Sequence, residues 1–230
     1  MKIYYYLNIN NDILYITMEN TFVLDFETTG LNPYHDEIIE IAIKPYGKEE
    51  IYTKLTKPLI KKKLNYKVVE ITKITDQLLA EKGINIYTAF NEMVNFMIEH
   101  ITDKKAPIYL LAHNGTMFDF ILLQRLFVNY HKLNKLSENI INIFNRFVYI
   151  DTLLMSRLMM PNRFTYSQNA LAKTFSIEQK AAHRAYGDVI VLEEIFKNII
   201  VHHCKLKSLD YNECLNIEYI NALLYIYSFN

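Results

Sequence analysis

Thr21-Phe22-Val23-Leu24-Asp25-Phe26-Glu27-Thr28-Thr29-Gly30 is the stretch on which the reading of the whole 230-residue chain turns. It opens as an apolar run of residues that suit a pleated, buried surface. Two carboxylates then enter, Asp25 and Glu27. Residues two apart on a strand project to one face, so both acids point together while Phe26 points into packing on the other. Paired carboxylates at the end of a buried strand repel each other and are costly to desolvate. A hard divalent cation, Mg²⁺ or Mn²⁺, is the usual compensation. Thr28-Thr29-Gly30 then turns the chain and is expected to leave backbone N–H groups and two hydroxyls beside that ion. Taken alone, an Asp-x-Glu reads more simply as an exposed acidic strand end before a turn.

The sequence around this stretch supplies a fold. Leu31-Asn32-Pro33 is turn chemistry, and residues 37–44 and 50–57 read as strands with Pro45-Tyr46-Gly47-Lys48 between them. Connections this short make the first three strands an antiparallel meander. Residues 85–101 carry Ile86, Phe90, Val94, Met97 and Ile98 at helical spacing. Strands are then expected at 107–112 and 148–151. Helices are expected from a start at Thr75 or Asp76 and over 118–130, 153–158, 167–175 and 187–202. Helices alternating with strands after a meander imply an α/β domain with a mixed sheet.

Composition narrows the class. Hydrophobic residues make up 51% of the chain, ample for a sizeable core, and the length fits one large domain or one domain plus an appendage. Net charge is zero and the pI is about 7.1, so any phosphate contact must come from a local patch. Lys61-Lys62-Lys63 reads first as a solvated loop and second as such a patch. Cys204 and Cys214 make no disulfide framework and point to a reducing, intracellular setting, the cytoplasm, with the nucleus kept open. His202-His203-Cys204 with Cys214 has the spacing of no standard zinc module, and favourable charge at a helix C-terminus explains the histidines better. Residues 1–17 are Tyr- and Asn-rich and lack signal-peptide features. They read either as a small added hairpin or as sequence upstream of a start at Met18. No run reaches the ~18 apolar residues that span a bilayer, so no membrane partner is expected.

Two further stretches belong with the first. In Ala112-His113-Asn114-Gly115-Thr116-Met117-Phe118-Asp119-Phe120 a strand ends and a helix opens, with Asp119 in its first turn. In Ala182-His183-Arg184-Ala185-Tyr186-Gly187-Asp188-Val189 a histidine stands five before an aspartate where a long helix begins. Each acid alone reads as a helix cap or first-turn charge. His183 alone reads as a surface histidine. His113 reads as either a core histidine or an orienting one, and Asn114 as a turn residue or a substrate contact. Five suitable residues in three ordered motifs are hard to explain that way.

Together these motifs resemble the DEDDh exonucleases, the RNase H-like family of the proofreading epsilon subunit. The family's four acids and histidine fall on Asp25, Glu27, Asp119, Asp188 and His183. Ile71-Thr72-Lys73-Ile74-Thr75 resembles the family's I-x-G-I-T segment, with Lys73 in place of glycine. The Ala-His-Asn-Gly-x-x-Phe-Asp-Phe and Gly-Asp-Val motifs look most like the three-prime repair branch. The likeness covers residues 21–202. An exonuclease domain is expected over 18–205, after the 1–17 stretch, and apolar Leu215, Ile217, Ile220, Leu223, Leu224 and Ile226 read as a closing helix in 206–230 packed on it, or else as a partner-binding helix.

The resemblance implies 3′→5′ hydrolysis of DNA, single-stranded ends first, with exoribonuclease activity as the alternative. Two Mg²⁺ or Mn²⁺ ions would be held by Asp25, Glu27, Asp119 and Asp188, with Asp25 bridging and Asp119 acting through water. His183 would be the general base, since imidazoles titrate near neutrality. Thr28 and Thr29 would hold the terminal 3′-OH, and Leu31 and Phe118 would press on the terminal base. His113 and Asn114 complete the expected substrate contacts. A DNA polymerase acting in trans and a second copy of the chain are the protein partners to test. A non-catalytic nucleic-acid-binding module is the competing class, and the intact set of five argues against it.

Overall fold

In the computed structural model, which describes residues 20–60, 63–133, 136–179 and 183–207, the quoted stretch forms β1 (Thr21–Thr28). It is an inner strand of a six-stranded sheet ordered β4-β3-β2-β1-β5-β6. β2 (Ile38–Pro45) and β3 (Tyr52–Lys57) complete the antiparallel meander, and the two-residue β4 (Ile84–Asn85) pairs parallel to β3. On the other side β5 (Ile108–Ala112) runs parallel to β1, and β6 (Phe147–Asp151) parallel to β5. The expected α/β architecture, a mixed RNase H-like sheet flanked by helices, is therefore present.

The strand alternation decides which helices go where. Phe22, Leu24 and Phe26 pack with α3 (Ile86–His100) and α4 (Asp119–Lys132) on one face. Val23 and Ala42 pack on the opposite face with α6 (Thr152–Met159), α7 (Gln168–Thr174) and α8 (Ala185–Lys207). Asp25 and Glu27 share the parity of Val23, so they lie under the α8 side. α8 begins two residues before and ends five residues after the expected span, and Asp188 lies in its first turn. No helix among the described residues is long and apolar enough to cross a membrane. The expectations for 1–17 and for a closing helix after residue 207 lie outside the described residues.

Two helices were not read from the sequence, α1 (Tyr66–Thr72) and α5 (Glu138–Phe144). Both carry side-chain caps, from Asn65 to the Lys67 N–H and from Ser137 to the Ile140 N–H. α2 (Asp76–Lys82) starts as expected, with the Thr75 hydroxyl accepting from the Leu78 N–H. Lys73 ends α1 at φ 61°, in the left-handed region, with its N–H on the Val69 carbonyl. A Cβ is strained there and glycine is not. Lys73→Gly should raise stability by ~1 kcal/mol, read by urea denaturation with an unchanged slope. An equal or lower midpoint would count against this account.

Candidate active site

The site gathers at the C-terminal ends of parallel β1 and β5, where open α/β sheets place their ligand clefts. Carboxylate oxygens of Asp25, Glu27 and Asp188 lie within 4.8 Å of one another. β1 supplies the first two and the first turn of α8 the third. Asp119 is 3% exposed, and its Oδ1 accepts from the Phe26 N–H at 3.2 Å, beyond the point where β5 stops pairing with β1. This bond ties the start of α4 to the centre of the first motif.

Burial and mutual repulsion act together on these acids. Asp25 is held well above the ordinary carboxylate range, by burial first and then by Asp119, Asp188, Glu27 and Glu40. Burial, with Asp188 next, pushes Glu27 up to about 8. Burial raises Asp119 to about 7 against the opposing Phe26 N–H, and raises Asp188 to about 6 against the His183 backbone N–H. A folded carboxyl with a raised pKa binds more protons than its unfolded counterpart. Its contribution to stability is full below pH ~4 and is lost as pH rises through the folded value. Metal-free protein should therefore melt at progressively lower temperature from pH 5 to pH 9, and a divalent cation should reverse the loss at the alkaline end. Calorimetry across that range with EDTA or Mg²⁺ checks this. A melting temperature that rises with pH in EDTA would contradict it.

The turn after β1 is held by its own side-chain hydroxyls. The Thr28 hydroxyl donates to the Gly30 carbonyl at 2.5 Å. The Thr29 hydroxyl donates to Asp36 Oδ1 and accepts from the Glu37 N–H, both at 3.0 Å, and the Thr29 N–H bonds the Glu37 carbonyl. The hydroxyls expected beside an ion thus also serve to shape the turn. Gly30 allows it, because a Cβ there would stand 2.5 Å from the Asp36 carboxylate. Arg125 of α4 clamps the loop through the Pro33 and Asp36 carbonyls. The loop presents Leu31 almost wholly exposed, at 92%. Phe118 is partly buried against the α3–α4 core.

His113 has both ring nitrogens engaged. Nε2 faces the Tyr166 carbonyl and Nδ1 the Thr152 hydroxyl, each at 2.9 Å. A carbonyl only accepts, so Nε2 carries a proton, while the Thr152 hydroxyl lies between Nδ1 and the Ala112 carbonyl. Burial, the largest influence, pushes this imidazole below its ordinary value and suits the neutral form. Its bonds are those of an orienting residue: it pins the loop before α7 to the end of β5. Asn114 sits at φ 62°, and its N–H donates to Asp151 at 3.0 Å. Asp151, at the end of β6, collects N–H groups from Asn114, Thr116, Leu153 and Leu154. Gln168 Nε2 reaches the Asp188 carbonyl at 3.0 Å. His183 is exposed at φ 63°, in the turn entering α8.

Glu40 was missed. It lies opposite Glu27 in the β1–β2 ladder, is 1% exposed, and bonds Arg184 beside His183. Its partner is far away in sequence, so no local spacing could mark it.

The mixed sheet thus carries an acidic cleft at the end of its central strands, a site suited to a hard metal ion. The family model described as exonuclease matches residues 22–196, and the chain belongs to that family. The expected place among the DEDD exonucleases is thereby borne out. The DNA polymerase III epsilon subunit of Treponema pallidum is 30% identical over 184 residues, covering 79% of this chain and 76% of the relative. The PolC-type DNA polymerase III of Ureaplasma parvum is 32% identical over 181 residues, 76% of this chain but 11% of that protein. The chain thus spans about a tenth of the PolC-type relatives it matches. Escherichia coli exonuclease I, solved with a dT13 oligonucleotide, superposes with a TM-score of 0.64 over 82% of this chain and 42% of its own, at 19% identity. That last likeness concerns the fold.

Proposed function

We propose that the chain removes nucleoside monophosphates from DNA 3′ ends, preferring single strands, in a reaction that depends on divalent metal. The observation that carries this reading is the convergence of Asp25, Glu27 and Asp188, all within 4.8 Å, at the end of a buried strand. The donor set fits a hard cation. Burial and mutual repulsion raise Asp25 and Glu27 above the ordinary carboxylate range, and Arg184, the cation that acts on Glu27, is already bonded to Glu40. Asp25, Glu27, Asp119 and Asp188 would hold Mg²⁺ or Mn²⁺, two ions in the family's manner. Such ions would neutralise charge at phosphorus and lower the pKa of a bound water. His183, exposed at the lip of its turn, takes the proton of the attacking water. Thr28 and Thr29 shape the rim on which the terminal sugar rests, and Leu31 and Phe118 offer apolar contact to the last base. His113 and Asn114 bound the cleft on the β5 side. The epsilon likeness supports a DNA polymerase as a partner in trans.

The test uses end-labelled single- and double-stranded DNA and RNA of one sequence. EDTA should abolish cleavage, Mg²⁺ or Mn²⁺ should restore it, and Ca²⁺ should support little turnover because its looser coordination misplaces the water. A 3′-phosphate should block attack, being larger and more charged beside the acids, while a 5′ block should not. Full activity in EDTA, or efficient cutting of a circular single strand, would overturn the reading. Faster turnover of RNA would reassign the substrate.

A further inference from the structure

The Glu40–Arg184 pair belongs to none of the five motif residues, yet it joins the two halves of the site. Glu40 is on β2 and Arg184 is next to His183. Arg184 Nη2 donates to Glu40 Oε1 at 2.6 Å, and its Nε lies 3.2 and 3.0 Å from Oε1 and Oε2. The Ala185 N–H, first in α8, donates to Oε2 at 3.0 Å. The guanidinium fork and a helix N-terminus thus converge on one buried carboxylate. The same carboxylate stands across the ladder from Glu27. The Arg184 guanidinium also lies 5.5 Å from the centre of the Tyr186 ring. The turn it anchors holds His183 in the left-handed region, where a non-glycine residue persists only if its surroundings fix it.

Resting on the function proposed above, we infer that Arg184 is a positioning residue: its fork on Glu40 fixes the His183 turn over the carboxylates and offsets the charge of Glu40 beside them. Two consequences have opposite signs. Without the fork, the turn relaxes and the proton acceptor is misplaced. Without the guanidinium, the Glu40 charge is uncompensated, and the cleft attracts a cation more strongly. A residue that merely kept the fold would, when lost, weaken catalysis and metal binding together.

The experiment measures Mn²⁺ affinity by electron paramagnetic resonance, single-turnover cleavage of a labelled oligonucleotide, and thermal melting, for wild type and four variants. Arg184→Met should lower kcat by roughly 10²-fold, the scale of a misplaced base, with Mn²⁺ affinity raised severalfold. Glu40→Gln should lower both kcat and Mn²⁺ affinity. The double variant should restore Mn²⁺ affinity to near wild type while kcat stays low. Arg184→Lys keeps the charge without the planar fork, so Mn²⁺ affinity should hold while kcat falls about tenfold. If Arg184→Met melts out, Arg184→Lys decides. Full kcat in Arg184→Lys, or metal affinity falling with activity in Arg184→Met, overturns the inference. Wild type inactive on every strand counts against the proposed function instead, and the metal titrations still test the pair because they need no turnover.

Discussion

Asp25→Asn should reduce single-turnover cleavage by roughly a thousandfold or more, since the central metal-holding charge is gone. The same variant should melt higher than wild type in EDTA at pH 8. Burial and the carboxylates of Asp119, Asp188, Glu27 and Glu40 all oppose the charge of Asp25 in the fold and hold its carboxyl well above the ordinary range. The unfolded chain ionises freely, so folding carries a penalty that an amide of the same volume avoids. The gain should be about 1 kcal/mol, on the scale of stabilising substitutions, or roughly 2–4 °C for a domain of this size. It should vanish near pH 4, where the unfolded carboxyl is protonated as well. Saturating Mg²⁺ should reverse the order, because only wild type gains full binding energy. Wild-type rates in Asp25→Asn would remove this acid from the site, and a lower melting point in EDTA would mean that its charge is compensated within the fold.

His183→Ala should lower kcat by roughly 10²–10⁴-fold, the usual contribution of a positioned base, with oligonucleotide affinity in Ca²⁺ nearly retained. The acids are untouched by the change, and the His183 side chain is exposed, so the fold loses little packing. Tyr186→Phe is the control. Tyr186 is also exposed, and its ring faces the Arg184 guanidinium, a contact that phenylalanine preserves. A related exonuclease branch carries a tyrosine four residues before the last acid. That position here is Arg184, already bonded to Glu40. The tyrosine variant should therefore stay within a few-fold of wild type. A severe Tyr186→Phe with a mild His183→Ala would reverse the assignment of the base.

The sequence disclosed most where chemistry and periodicity coincide. Phe22, Val23, Leu24, Asp25, Phe26 and Glu27 alternate between two helix layers, and that alternation alone puts both acids on one face. The order of the three motifs gave the membership. Glu40 escaped because one acid in Ile38-Ile39-Glu40-Ile41-Ala42-Ile43 reads as the wet face of a meander strand. Here both faces are covered, so Glu40 and Lys44 are buried and paired with Arg184 and Glu193 of distant sequence. Thr28 and Thr29 were readable as turn residues, but the partners of their hydroxyls depend on where Gly30 and Asp36 come to rest. α1 and α5 were missed although Asn65 and Ser137 are cap residues, because helices of seven residues show barely two turns of periodicity.

The placement of Asp188 in the first turn of α8 bears on when the protein acquires its chemistry during synthesis. Asp25 and Glu27 on β1 and Asp119 at the start of α4 are all made before α8. His183, the Arg184 partner of Glu40 and the last acid arrive together, near the end of the exonuclease region. A nascent chain therefore carries three of the four acids before Asp188 and His183, the proposed proton acceptor, are made. On the function proposed above, hydrolysis should therefore begin only once α8 has docked across β1 and β2.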